Sequence, residues 1–512
     1  MMISIVGFAG LCAPLVYLTA AFAFRKQHFF RVGLFLAAGA FAAAVLCDIL
    51  LALAKGTEAG SPVFLDAFSA AILTLITFVG FVVVRYSITY LDGDPDQPRF
   101  MSWLCLTLAA VSALVIAGDL RLFALAWIAT SLALHKLLVF RSERPRAIIA
   151  ARKKFIVARI GDAALLGAVY MMMNAFGTAE IAAILEGAQN MKATGGAPGL
   201  LALAPVFLVI AAVLKSGQFP THGWLGEVME TPTPVSALLH AGIINAGGFL
   251  IIRFADVMLL NGSAMHALAL IGGFTALFGS IVMLTQTSIK VSLAYSTVAQ
   301  MGFMLLQCGL GVFSAATLHI IAHSLYKAHA FLSSGRAVTL SRISRPAMTQ
   351  KKRDAVFAVL SALALYLAIG VPFGGRAGEE PAILALGAIY IIGLSMYLSA
   401  LLADTNSRAL GLGLAGFATA FYFLLQNAFA TLLAGAIPAP LAPDAVGNAV
   451  IVIALGSFAV VAFAQVFHLP ATDKVRAFYV HAAQGFYANA IFNRLIGALR
   501  VGRDVYVSRS AS

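Results

Sequence analysis

Of the 512 residues, 61% are hydrophobic and 11% charged, whereas soluble domains run near half apolar and a quarter charged; a water-soluble enzyme or a sizeable soluble domain is excluded. The 34 Lys+Arg against 21 Asp+Glu, net +13, read as membrane topology rather than nucleic-acid binding, because basic residues gather on cytoplasmic loops. Cys12, Cys47, Cys105 and Cys308 stand singly in apolar stretches, with no spacing for a metal centre or a disulfide framework.

About 20 apolar residues span a bilayer as a helix. Such runs fall at about 2 to 24, 32 to 54, 67 to 91, 100 to 118, 120 to 140, 155 to 176, 199 to 219, 231 to 256, 263 to 285, 290 to 310, 312 to 335, 354 to 373, 380 to 402, 409 to 436 and 447 to 468. The expected fold is therefore an all-α polytopic membrane protein of about fifteen transmembrane helices. The first run has no basic residue before it and Arg25, Lys26 and Arg31 after it, the reverse of a secretory signal, so it is expected to stay uncleaved with its N-terminus outside. Alternation then places three basic groups on the inner side: the one just named; Arg141, Arg144, Arg146, Arg152, Lys153 and Lys154; and Arg336, Arg342, Arg345, Lys351, Lys352 and Arg353. Lys55, Arg121, Lys192 and Arg376 fall outside. The tail from about 474, KVRAFYVHAAQGFYANAIFNRLIGALR, suits an amphipathic helix on the cytoplasmic surface or against a partner. The chain divides into N-terminal helices (1–79), a core (80–340), C-terminal helices (341–470) and a cytoplasmic tail (471–512).

A charge at membrane depth is costly unless paired or hydrated, which makes intramembrane ionisable residues functional candidates. Lys215 ends an apolar run and is followed by Gly217 and Pro220; Pro232 and Pro234 open the next segment, which contains His240. Prolines and glycines at that depth imply broken helices lining a cavity. His319, His323 and Lys327, spaced i, i+4, i+8, fall on one helix face. Asp162, shortly after Arg159, is the nearest acid to neutralise one of the lysines. Lysine and imidazole groups in such a row can pass protons through water. Against this, a lysine at a helix end can snorkel to the interface and a lone histidine can be a hydrogen-bonded core residue. Asp48 reads as a helix-packing partner and Arg253 as a segment-end charge; His329 and Lys290 stay open.

KSGQFPTHGWLGEVMETPTPVSALLHAG (215–242), SIKVSLAYSTVAQMGFM (288–304) and HIIAHSLYKAHAFLSSG (319–335), with RYSITYLDGDPDQPRF (85–100) and KKFIVARIGDAALL (153–166), resemble the antiporter-like membrane subunits of respiratory complex I and the multisubunit sodium/proton antiporters. The resemblance implies two inverted five-helix repeats, each with a broken helix, around a proton-conducting axis. By matching motif, Lys215 looks like the central lysine of the first bundle, His240 like the bridging histidine, His319, His323 and Lys327 like the second half-channel, and Asp162 like an acid of the sixth span. The family's fifth-span glutamate should follow a tryptophan; here Trp127 is followed by Ile128. The run from 354 to 373 lacks the terminal channel lysine, and no long lateral helix is expected before residue 512.

HAGIINAGGFLIIRF (240–254) and HSLYKAHAFLSSG (323–335) look like the membrane subunit of inorganic-carbon accumulation systems of the DAB type. That resemblance implies a subunit of the prokaryotic inner membrane, with its C-terminus cytoplasmic, that passes protons or sodium ions. It implies a large, zinc-containing, carbonic-anhydrase-like cytoplasmic partner on which carbon dioxide is hydrated. No cofactor and no catalysis are expected in this chain, and a single partner rather than antiporter-like siblings follows from Ile128. The alternative is an antiporter-like subunit of an NADH/quinone oxidoreductase or a multisubunit cation/proton antiporter.

Overall fold

The computed structural model describes residues 5–26, 29–54, 57–60, 62–141, 143–194, 199–335, 352–372, 381–401, 408–440, 442–466 and 472–498. Lys55, Arg336, Arg342, Arg345, Lys351, Arg376 and Arg500 lie outside them. The helices are α1 (Ile5–Ala23), α2 (Phe30–Ala54), α3 (Ala67–Tyr90), α4 (Gln97–Ile116), α5 (Leu120–Leu138), α6 (Pro145–Phe176), α7 (Ile181–Thr194), α8 (Ala204–Lys215), α9 (Gly223–Glu227), α10 (Thr233–Ala241) and α11 (Ala246–Arg253). They continue with α12 (Ala255–Met258), α13 (Gly262–Thr285), α14 (Ile289–Gly309), α15 (Phe313–Leu332), α16 (Lys352–Leu365), α17 (Pro381–Leu401), α18 (Arg408–Leu432), α19 (Ala445–Val466), α20 (Asp473–Ala483) and α21 (Ala488–Ala498). A two-residue strand pair, Glu58–Ala59 with Phe64–Leu65, sits ahead of α3.

Among the described residues, twelve helices are long and apolar enough to cross a membrane, with Thr233–Arg253 counted as one across the break between α10 and α11. This is the polytopic all-α architecture expected. Two further apolar runs hold shorter helices, Gly199–Lys215 and Val356–Gly370, and the run at 312 to 335 holds α15, whose three histidines and one lysine dilute its apolar character.

Local chemistry sets the boundaries. Asp66 caps α3 by accepting from the Ser69 amide at 2.7 Å, and Asp119 caps α5 by accepting from the Arg121 amide at 2.8 Å; each side chain satisfies a donor that the first helical turn leaves unpaired. The long α6 opens on Pro145, whose missing N–H costs nothing at the first position, and stops at Gly177, which takes the left-handed conformation with φ 65°. The helices of the α13–α14 hairpin approach each other closely. A Cβ on Gly272 would lie 2.5 Å from the Leu306 amide nitrogen, and one on Gly279 would lie 2.6 Å from that of Ala299. Only hydrogen fits there, as in small-residue packing between membrane helices.

Two expectations change. The expected sixth run begins at 155, yet α6 begins ten residues earlier, so Lys153 and Lys154 belong to a helix; they are 2% and 5% exposed, not loop charges. The tail is two helices rather than one, because the chain turns between α20 and α21 at Gly485, Phe486 and Tyr487, all with positive φ.

Candidate functional site

α8 ends at Lys215 because Gly217 adopts φ +59° and Pro220 follows in the non-helical turn leading to α9. Pro232 is the residue before α10 and Pro234 lies in its first turn, so these prolines start a helix, and the interruption falls later, at Gly242 and the short 3-10 turn Ile243–Asn245. The free backbone groups at such breaks need polar neighbours, and the ionisable side chains gather beside them.

One group surrounds Lys215, which is 8% exposed. Its Nζ sits 4.0 Å from the centroid of the Trp127 ring and 3.4 Å from the Trp127 carbonyl oxygen. The face of an indole is a favourable seat for a desolvated cation. Asp162, also buried, is paired with Arg159 at 2.5 Å and lies within electrostatic reach of Lys215. The acid expected to serve the lysine is thus shared with an arginine one turn away. Lys154 approaches the same acid, and its Nζ donates to the Ser131 carbonyl at 3.0 Å and hydroxyl at 2.8 Å. Lys153 forms an ion pair with Glu227, whose other oxygen accepts from Asn489 of α21 at 2.9 Å.

The second group is built on α10, α14 and α15. His240 is fully buried; its Nδ1 lies 2.9 Å from the Thr297 hydroxyl and its ring stacks on Phe331 at 4.5 Å. Along α15, His319 Nδ1 meets Gln307 Oε1 at 2.9 Å, and the His319 and His323 ring centres are 6.1 Å apart. Lys327, fully buried, donates to the Leu293 carbonyl at 2.9 Å. His323 is within electrostatic reach of His319, Lys327 and His240, and neither of its ring nitrogens has a protein hydrogen-bond partner. A buried imidazole without a partner is costly, and water is the partner such a polar site admits. Between the groups, Ser216 next to Lys215 donates to the Ile244 carbonyl beside the α10–α11 break at 2.9 Å.

Sequence reasoning used Trp127 only as the residue before Ile128 and Lys154 only as a loop charge, and it passed over Ser131 and His222, the latter 1% exposed with both ring nitrogens unpartnered and its ring 4.7 Å from that of Phe278. His222 stands seven residues after Lys215 in the quoted motif, and that proximity to a broken helix was the available signal. Arg253, expected as a segment-end charge, is buried and bonds Asp66 at 2.8 and 3.0 Å. Asp48 accepts from the Thr74 hydroxyl at 2.6 Å, as a helix-packing partner would. Lys290 donates to Thr233 at 3.2 Å, whereas His329 is exposed.

Fold and site together define a polytopic membrane protein with lysines and histidines buried beside interrupted helices. The sequence profile described as NADH:quinone oxidoreductase/Mrp antiporter, TM, matches residues 117–400, and that of the complex I chain 5 N-terminus matches residues 58–101. A Halothiobacillus neapolitanus protein named probable inorganic carbon transporter subunit DabB2 is 39% identical over 440 residues, covering 84% of this chain and 79% of its own. The chain belongs to this family of antiporter-like complex I and Mrp membrane subunits. The Hydrogenovibrio crunogenus protein named probable inorganic carbon transporter subunit DabB is 46% identical over 290 residues, which is 56% of this chain and 55% of that one. NADH-quinone oxidoreductase subunit L of Escherichia coli is 36% identical over 280 residues, 54% of this chain and 45% of that one. The Mrp complex of a Dietzia species shares the fold, with TM-score 0.67 at 22% identity over 98% of this chain and 60% of the matched one.

Proposed function

We propose that this chain is the cation-conducting membrane subunit of an inorganic-carbon accumulation complex in a prokaryotic inner membrane, passing protons or sodium ions and coupling that flux to carbon dioxide hydration on a zinc-containing cytoplasmic partner. The observation that carries the reading is the likeness to the protein named DabB2, which extends over 84% of this chain and 79% of the relative, whereas the match to subunit L covers 45% of that protein.

In this reading residues 80–340 are the conducting core. Asp162, Lys215, His240, His319, His323 and Lys327 hold and release protons. Lys215 changes its charge against Trp127 and the Arg159–Asp162 pair. His323, near His240 and Lys327, exchanges protons through water, since water-mediated bonds are nearly as good as direct ones. Hydration chemistry belongs to the partner.

Purification from the native membrane tests the proposal. A one-to-one complex with a large zinc protein is expected. It should rescue a host that requires high carbon dioxide, and the rescue should be lost with a protonophore. Lys215→Arg should abolish it in a folded protein, because arginine does not release its proton. Co-purification with several polytopic subunits and quinone-reducing activity would overturn the reading in favour of an NADH/quinone oxidoreductase subunit.

A further inference from the structure

The face of α5 that carries Trp127 also carries Ser131 and His135, at i, i+4 and i+8. At 1.5 Å per residue this row runs about 12 Å from the seat of Lys215 to the last turn of α5. α6 lines the same row. Lys154 ends on Ser131 through two hydrogen bonds, at 3.0 and 2.8 Å. The Phe155 ring lies between His135, 5.1 Å away, and the Arg159 guanidinium, 4.9 Å away. His135 Nδ1 is buried without a protein hydrogen-bond partner, and the next residue, Lys136, is exposed. Beyond Trp127 the row thus carries a polar side chain on each of two successive turns, and it ends at the half-buried His135 near the C-terminus of α5.

The charges of this cluster do not balance. Lys154, Arg159 and Lys215 all lie within electrostatic reach of one carboxylate, Asp162. Uncompensated charge inside a membrane protein costs several kcal/mol, and like charges close together oppose each other's ionisation. Lys154 and Lys215 are thus two like-charged groups set around one acid, so a proton added to one repels a proton held on the other.

We infer that Lys154, with Ser131 and His135, is a second proton-carrying station that connects Lys215 to the membrane face at the C-terminal end of α5. The inference rests on the conduction reading above and adds to it the route and the residues on one side of Lys215. A proton taken up at the half-buried His135 moves through water to Lys154 in its neutral form, and its arrival there repels the proton held on Lys215, which leaves toward the α10–α15 group. No bond other than those to the proton is made or broken. Ser131 fixes the Lys154 ammonium and so acts as a positioning residue.

The test uses the purified complex of full-length chain and partner in liposomes, with proton flux read by an entrapped pH-sensitive dye. Lys154→Arg retains a donor for Ser131 but does not release its proton, so flux should fall at least about tenfold with assembly and thermal melting unchanged. His135→Asn, at a half-buried ring, removes a group that takes up and releases protons near neutrality and should lower flux by about threefold or more. Where Lys154→Arg fails to assemble, Lys154→Gln and His135→Asn decide the matter by the same readout. Flux near wild type in assembled Lys154→Arg, or in His135→Asn, while Lys215→Arg stops it, overturns the route and leaves the conduction reading standing. Wild-type flux in Lys215→Arg overturns both.

Discussion

Arg253 donates to both carboxylate oxygens of Asp66 at 2.8 and 3.0 Å, bonds the Ser69 hydroxyl, and lies against the rings of Phe64 and Phe68. Both charges are buried, so neither has water to fall back on. A buried ion pair contributes little net stability relative to an apolar replacement of both partners, whereas removal of one partner leaves the other uncompensated, at a cost of about 3–5 kcal/mol. Arg253→Met should therefore lower the melting temperature of the detergent-solubilised protein by a shift equivalent to that cost, while the double change Arg253→Met, Asp66→Asn should recover part of it. A melt for Arg253→Met within about 1 kcal/mol of wild type would show the pair to be dispensable. Asp66 also caps α3, so the pair ties the start of α3 to the end of α11. The same distinction between isolated and shared charge applies to Asp162, which pairs with Arg159 and lies within electrostatic reach of Lys154 and Lys215, and whose loss should be correspondingly disruptive.

In the α13–α14 hairpin, Gly272 and Gly279 of α13 let its backbone approach Leu306 and Ala299 of α14. Thr297 on α14 holds His240, and Gln307 on α14 holds His319, so a displacement of α14 away from α13 moves the anchors of two histidines. Gly272→Val places methyl groups where backbone atoms of α14 already stand and has no soft neighbour to displace. Overpacking of this kind costs about 1–3 kcal/mol, and the expected outcome is a folded but less stable protein with conduction reduced, measured by melt and by the liposome assay together. Gly273→Val, one position on, meets only the Leu306 side chain at 3.7 Å and should be tolerated. Equal loss in both variants would refute the close-approach argument.

For the molecule as a whole, the tail is joined to the core through Glu227. Asn489 of α21 donates to the Glu227 oxygen opposite the one that pairs with Lys153, and Gln286 after α13 donates to the Ala483 carbonyl of α20 at 3.3 Å. Lys153 lies one residue from Lys154, so the tail bears on the α6 segment that carries the buried lysines. Asn489→Asp sets a carboxylate against Glu227, and like charges this close repel. Protease cleavage between α19 and α20 should accelerate several-fold in intact vesicles, with the membrane core unaffected. Unchanged cleavage would show that this contact does not hold the tail down.

Composition and the spacing of apolar runs were enough to define a polytopic helical membrane protein, because a bilayer admits few solutions and backbone groups must be paired within each segment. Each of the fifteen runs contains a helix. The row His319, His323, Lys327 was legible for the same reason: helical periodicity places it on one face, and lipid is excluded as its neighbour. Lys153 and Lys154 were not legible, since a lysine near a segment boundary has the same sequence signature whether it meets water or another helix. Their burial follows from the early start of α6 at Pro145 and from partners 23 and 74 residues away in the chain. The sharing of Asp162 among three cations and the seating of Lys215 on Trp127 likewise depend on how α5, α6 and α8 pack. Hydropathy is additive along the chain, whereas the pairing of charges depends on which faces meet, and only the tertiary structure brings those faces together.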